Sequence, residues 1–254
     1  MTTVKDIYDF IDSFAPFNTA LDFDNVGILV GDKNAVVKKA LLSLDVTEEV
    51  IKEADRIQAQ LIITHHPVIF RAIKSLDSHS LPYLLANKNL NVISAHTNLD
   101  LSPKGVNFHL AEQLALENIT VTKDGIAVGD IENPYHLGTF TSRRFAKFVK
   151  EHLHCKGVRY TDIPNDIKRV AVGGGACGEY ICLAKELGAD AFVTGEIKHN
   201  FIVESHALQL TVVDAGHFKT EDVVINPLKE KLQKVFDEVT FLKSQTFTDY
   251  IDYI

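Results

Sequence analysis

Apolar residues open the chain at helical spacing: Val4, Ile7, Tyr8, Ile11 and Phe14 predict an amphipathic helix over 4–14 that Pro16 ends. The apolar runs that follow are short and continuous. Residues 26–30, punctuated by Gly27 and Gly31, predict a strand, and KKALLSLDV predicts a buried one. Thr47 then suits the N-cap of the helix EEVIKEADRIQA. LIITHHP is a strand stopped by Pro67, SLPYLLANK a helix, and NVISAHTNLD begins as a strand. Ser102-Pro103 predicts an N-cap and first-turn proline for a helix ending near Leu116. Over residues 119–142 the pattern changes to short strands, glycine and polar residues. The helix SRRFAKFVKEHL and a turn at Pro164-Asn165-Asp166 follow. Next come the strand RVAV, the loop GGGACG, the helix EYICLAKELG and the strand AFVTGE. A shorter helix closes at SHALQ, before the strand TVVDAGH and a C-terminal helix.

Strands alternating with helices at these lengths predict βαβ units and an α/β fold with mainly parallel strands. The order also repeats. ALLSLDVTEEVIKEADRIQAQLIITHH and VAVGGGACGEYICLAKELGADAFVTGE share strand, loop, helix, strand, and an offset of 130 carries Thr64 onto Thr194. VISAHTNLD and VVDAGHFKTE follow them, with His96 and Asp100 spaced H-x3-D and His217 and Glu221 spaced H-x3-E. We therefore expect two pseudo-repeated α/β halves, 1–125 and 126–254, with polar clusters at matching strand ends and a metal site in the cleft between them. Ligands of open α/β sheets sit outside the carboxyl ends of strands.

Composition narrows the function classes. The chain has 254 residues, 46% hydrophobic and 24% charged, enough to bury a core without staples. A net charge of −8 argues against sequence-blind nucleic-acid binding. No apolar run nears the roughly 18 residues of a membrane span. MTTVKDIYDFIDSF lacks the basic start and apolar core of a signal peptide, so a cytoplasmic protein with no membrane partner is expected. Cys155, Cys177 and Cys182 form no CxxC pair and read as buried thiols.

The histidines carry the chemistry. His65-His66 sits where a strand stops at a proline, so both imidazoles can turn to one cavity. Taken alone, the pair reads more readily as one core and one surface histidine. Asp100 lies at a second strand end, and His217 and Glu221 at a third, where i and i+4 share a face if the segment is helical. Three histidines and two carboxylates suit Zn, Mn, Fe, Co or Ni rather than Ca or Mg. A carboxylate bridging two such ions about 3.5–4 Å apart would make a hydrolytic two-metal site.

DNVGILVG, ITHHP, AHTNLD and GHFKTE, in this order, resemble the NIF-three-like family of dinuclear-metal proteins, whose members are often labelled GTP cyclohydrolase 1 type 2 homolog. The resemblance spans nearly the whole chain. It implies that His65, His66, Asp100, His217 and Glu221 bind two divalent metal ions, with Glu221 as the bridging ligand. It also implies paired α/β halves, a homohexameric ring with the metal sites facing an internal cavity, and hydrolysis of a nucleotide such as GTP. Larger members carry a middle insertion that this chain is too short to contain.

Other residues keep two readings. His96 is a candidate proton carrier in catalysis, or an orienter of Asp100. Asp24 and Asn25 line a substrate cavity, or form an Asx-stabilised turn. Glu196 and His199 bind substrate or a further ion, or are surface polar residues. The loop 173–178 matches GxGxxG after a strand, with Glu196 ending the next strand, as a dinucleotide fingerprint would. Too little chain follows for a full doubly wound domain, and that reading leaves the His/Asp/Glu set unexplained. Gly174 and Gly175 are then candidates for holding a substrate phosphate on loop amides, or simply for a tight turn. The functional expectation is a metal-dependent hydrolase. The alternatives are a non-catalytic, ring-forming metal-binding regulator and a dinucleotide-dependent enzyme.

Overall fold

The computed structural model of the protein describes residues 1–134 and 138–254. Its elements run α1 Val4–Asp12, β1 Gly27–Val30, β2 Lys39–Ser43, α2 Glu48–Arg56, β3 Leu61–Thr64, α3 Leu81–Asn87, β4 Asn91–Ser94 and α4 Thr97–Asp100. Then come α5 Val106–Gln113, β5 Glu117–Val121, β6 Ala127–Asp130, α6 Ser142–His152, β7 Arg159–Tyr160, β8 Arg169–Gly173 and α7 Ile181–Glu186. The chain closes with β9 Ala191–Thr194, α8 His199–Ala207, β10 Thr211–Asp214, α9 His217–Glu221, α10 Ile225–Val235 and β11 Thr240–Lys243.

Two compact units result. One comprises residues 1–102 and 225–248, the other 103–224 and 249–254. The first is built on a sheet of order β1-β4-β3-β2-β11. Its strands β4, β3, β2 and β11 run parallel, and β1 closes one edge antiparallel. The core on one face joins Leu41, Ile62 and Val92 to Val50, Ile51 and Ala54 of α2 and Leu85 of α3. Helix α10 packs against β2 and β11, and Phe10 of α1 meets Phe236 edge-on at 5.7 Å. Thr47 caps α2 as expected, its hydroxyl accepting from the Val50 amide.

The second unit has the sheet order β5-β6-β8-β9-β10-β7. Period-two alternation sends Val170, Val172, Ala191, Val193 and Val213 to one face with α5 and α6. Ala171, Phe192 and Val212 go to the other face with α7 and α8. Both faces are covered, which is why these strands read as unbroken apolar runs.

The internal repeat is real at the level of topology. The order β1-β4-β3-β2 in one unit matches β7-β10-β9-β8 in the other, each with an antiparallel edge strand beside three parallel ones. Thr64 and Thr194 both end the middle strand, in register with Ser94 and Asp214 respectively. Beyond β2 and β8 the units diverge. β2 is flanked by parallel β11, whereas β8 is flanked by antiparallel β6.

Two local expectations need correction. The helix expected from Ser102-Pro103 begins instead at Val106, with Gly105 as N-cap. The Ser102 hydroxyl donates to the Phe14 carbonyl, so it is spent on tertiary contact rather than capping. Of the cysteines expected to be buried, Cys155 is buried but Cys182 is exposed, near Glu204. The short strands expected across 119–142 are β5 and β6, and residues 135–137 of that stretch lie outside the described residues. Among the described residues no helix is long and apolar enough to cross a membrane.

Candidate metal centre

In the first unit the parallel strands β3 and β4 end side by side, pinned by a buried 2.8 Å hydrogen bond between the Thr64 and Ser94 hydroxyls. The residues just past those ends are His65, His66 and His96. Their ring centroids lie 5.1 Å apart for His65 and His66, 5.0 Å for His65 and His96, and 5.4 Å for His66 and His96. Each ring offers one nitrogen to a common point, the three within 4.8 Å of one another. The helix α4 follows at once, and its last residue, Asp100, places Oδ1 3.5 Å from His65 Nε2.

Every one of these rings is held through Nδ1. His65 Nδ1 is 2.9 Å from the Ala95 carbonyl, His66 Nδ1 2.9 Å from Asp45 Oδ1, and His96 Nδ1 2.9 Å from Asp24 Oδ1. A carbonyl or a carboxylate only accepts, so Nδ1 carries the proton and the neutral ring keeps the lone pair of Nε2. Asp24 is a buried anchor. Its second oxygen accepts from the Thr97 amide at 3.0 Å and the Thr97 hydroxyl at 2.6 Å. Burial alone would raise its pKa, but the hydrogen bonds from His96 and Thr97 outweigh burial and hold the carboxyl well below the usual carboxylate range. Asn25 uses its side-chain amide to bind the Ile69 carbonyl, tying its loop to the segment after His66.

In the second unit His217 opens α9 behind Gly216, whose φ of 85° turns the chain sharply off β10. His217 Nδ1 lies 2.9 Å from Glu196 Oε1, and Nε2 lies 2.9 Å from Glu221 Oε2, one helical turn on. The segment is therefore helical, the condition under which His217 and Glu221 share a face. Glu196, a carboxylate with two readings in the sequence, orients this ring; His199 starts α8.

The glycine loop serves the same helix. A Cβ on Gly175, whose φ is +65°, would meet Glu221 Oε1 at 2.1 Å, and one on Gly174 would meet Glu221 Cγ at 3.2 Å. The Gly174 amide donates to Asn107 Oδ1 at 2.6 Å and the Gly175 amide to Thr220 Oγ1 at 3.0 Å. The glycines thus let backbone pass where a side chain would strike Glu221, at its carboxylate from Gly175 and at its Cγ from Gly174.

The donor set fits a transition metal. Ligand bonds of about 2.0–2.1 Å put neighbouring ligand atoms roughly 2.9–3.4 Å apart, close to the His217–Glu221 and His65–Asp100 separations. Sequence reasoning missed Asp45 as an orienter. Its only signal was a carboxylate two residues past a buried strand, the place where ligand-supporting groups collect in parallel sheets.

The Duf34/NIF3 (NGG1p interacting factor 3) family model matches residues 2–249. The chain is 34% identical to a Clostridium perfringens protein named GTP cyclohydrolase 1 type 2 homolog, over 99% of each chain. It is also 34% identical to a Campylobacter jejuni protein of the same name, over 86% of this chain and 87% of that one. Among solved structures, Staphylococcus aureus protein SA1388, a hypothetical protein, superposes with a TM-score of 0.90 at 29% identity, covering 99% of both chains. Reduced HcgD from Methanocaldococcus jannaschii superposes with a TM-score of 0.80 at 29% identity, covering 96% of this chain and 98% of its own.

Proposed function

Because the chain belongs to the Duf34/NIF3 family, we propose that it is a cytoplasmic dinuclear metal-dependent hydrolase acting on a nucleotide-like substrate. In this reading His65, His66, Asp100, His217 and Glu221 would hold two divalent ions of Zn, Mn, Fe, Co or Ni. The observation that supports it best is the common orientation of the histidines, each fixed through Nδ1 by a group that only accepts. Such outer partners accompany metal-bound imidazoles and set their tautomer. Ions of this class supply a water of lowered pKa and polarise the bond under attack.

The remaining residues do protein chemistry. His96 lies among the ligand imidazoles but carries its own buried carboxylate, so it suits proton transfer. Asp24 holds the ring in the Nδ1–H tautomer and stabilises the imidazolium formed when Nε2 takes a proton. Gly174 and Gly175 admit Glu221 to the site. Relatives named GTP cyclohydrolase 1 type 2 homolog support the proposed substrate class, and opening of a purine imidazole ring is the reaction that name suggests. We further propose assembly as a homohexameric ring, read by light scattering on the purified chain.

The test begins with elemental analysis of untagged protein. About two ions per chain are expected, lost in the double variant His65→Ala, Glu221→Ala. Purine nucleotides are then screened for turnover abolished by chelator and by Glu221→Gln. No metal after reconstitution with any of the five ions would overturn the centre. Stoichiometric metal without turnover of any nucleotide would leave a metal-binding regulator instead.

A further inference from the structure

Two large aromatic side chains stand exposed beside the histidine cluster. Phe23 is 62% and Phe70 44% exposed. Their ring centroids are 6.2 Å apart, and Phe70 lies 6.5 Å from the His96 ring. Scattered exposed apolar residues are ordinary, but these two sit on loops that are stitched in place. Leu21 N donates to Thr97 Oγ1 at 2.9 Å and Asp24 N to the Leu21 carbonyl at 2.9 Å, closing the turn that carries Phe23. The Asn25 side chain binds the carbonyl of Ile69, the residue before Phe70. Asp24, one residue past Phe23, is the anchor of His96. The same polar bonds therefore fix the candidate proton carrier and both phenyl rings.

We propose that Phe23 and Phe70 form a stacking platform for the planar base of the substrate, a role that rests on the reading of this site as nucleotide-directed. A heteroaromatic base offers a π-face to such rings, whereas ribose and phosphate do not. The base, rather than the phosphates, is then held beside His96, where hydrolysis of a base ring needs a proton carrier. Base recognition by stacking is tolerant of base identity, so guanosine and adenosine bind within a few-fold of one another.

The chain contains no tryptophan, so Phe70→Trp in the full-length, metal-loaded protein is a single fluorescent reporter. Guanosine, ribose 5-phosphate and tripolyphosphate are titrated separately. Quenching by guanosine alone is expected, and adding Phe23→Leu weakens it about tenfold, the loss of one stacking contact. The reciprocal pair, Phe23→Trp with and without Phe70→Leu, repeats the measurement should the first reporter misfold. Metal content and turnover are measured on every variant. Guanosine quenching in protein that lacks metal or turnover would support the base platform while removing the hydrolase reading. Intact metal content and turnover with neither reporter responding to guanosine would overturn the platform alone. Reporters silent to guanosine whose emission shifts on dilution would also overturn it, assigning the rings to contact between copies.

Discussion

At the residue scale, the partner of Nδ1 decides what each of these histidines can do with Nε2. Asp45 and Glu196 reach His66 and His217 from the solvent side, 37% and 61% exposed, so neither contributes much to the core. Replacing them by Asp45→Asn and Glu196→Gln removes the charge and lets an amide present either a donor or an acceptor to Nδ1. Metal affinity is expected to fall about 10–100-fold with little change in melting temperature, as read by chelator competition and thermal scans on one preparation. Unchanged affinity would remove the orienting role of these carboxylates. Gly175 makes the opposite demand. Alanine there must hold a left-handed backbone at about 1–2 kcal/mol and set its Cβ against Glu221 Oε1. Gly175→Ala is expected to lower stability by at least that amount and to displace Glu221, so metal per chain falls with it. A variant that melts lower but keeps full metal content would show that the Gly175 contact does not fix Glu221 for metal binding.

At the element scale, one buried carboxylate ties the end of β11 to α2. Glu53 accepts from the Ser244 hydroxyl at 2.6 Å, the Thr246 hydroxyl at 2.9 Å and the Gln245 amide at 3.1 Å. Burial alone would raise its pKa, but these bonds outweigh burial and hold the folded value below 4.5. The stabilisation is therefore present above the unfolded pKa and is lost as pH falls through the lower folded one. Glu53→Gln is expected to cost about 1.5–3 kcal/mol at neutral pH, the range for hydrogen bonds to a charged group, and to cost less as the solution is acidified below pH 4.5. Denaturant titrations across that range check both. This contact also marks what the sequence could not announce. The periodicity of α1, the Thr47 cap and the apolar runs of β2, β3, β8 and β9 are local signals, and each produced its element. TFLK of β11 is four residues long and half exposed, and it becomes a strand only because β2 offers a parallel edge. The pairing of His66 with Asp45 and of His217 with Glu196 likewise arises where neighbouring strands end together. The candidate residues of the site were legible in HH, H-x3-D and H-x3-E; the partners that orient the histidines depend on register, which spacing along the chain does not encode.

At the scale of the whole molecule, the proposed ligands divide between two units that each have a sheet and a core of their own. His65, His66 and Asp100 belong to one, His217 and Glu221 to the other. On the proposed ligand set an ion would need residues of both, so it would bind only when both are folded, and its binding energy would then stabilise each unit and couple their unfolding. At free metal about 100-fold above Kd the gain is about 2.7 kcal/mol. For a chain of this size that raises the melting temperature by roughly 5–10 °C, at 2–4 °C per kcal/mol. Calorimetry in chelator is expected to show two transitions or one broad one, and excess metal to merge them into a single sharper, higher transition. His65→Ala and Glu221→Ala lie in different units, yet each is expected to abolish the merging, whereas metal ligated within one unit would shift that unit's transition and leave the other where chelator puts it. A shift confined to one transition in wild-type protein would therefore sink the shared centre while sparing a metal site in that unit, and the variant that erases the shift would say which.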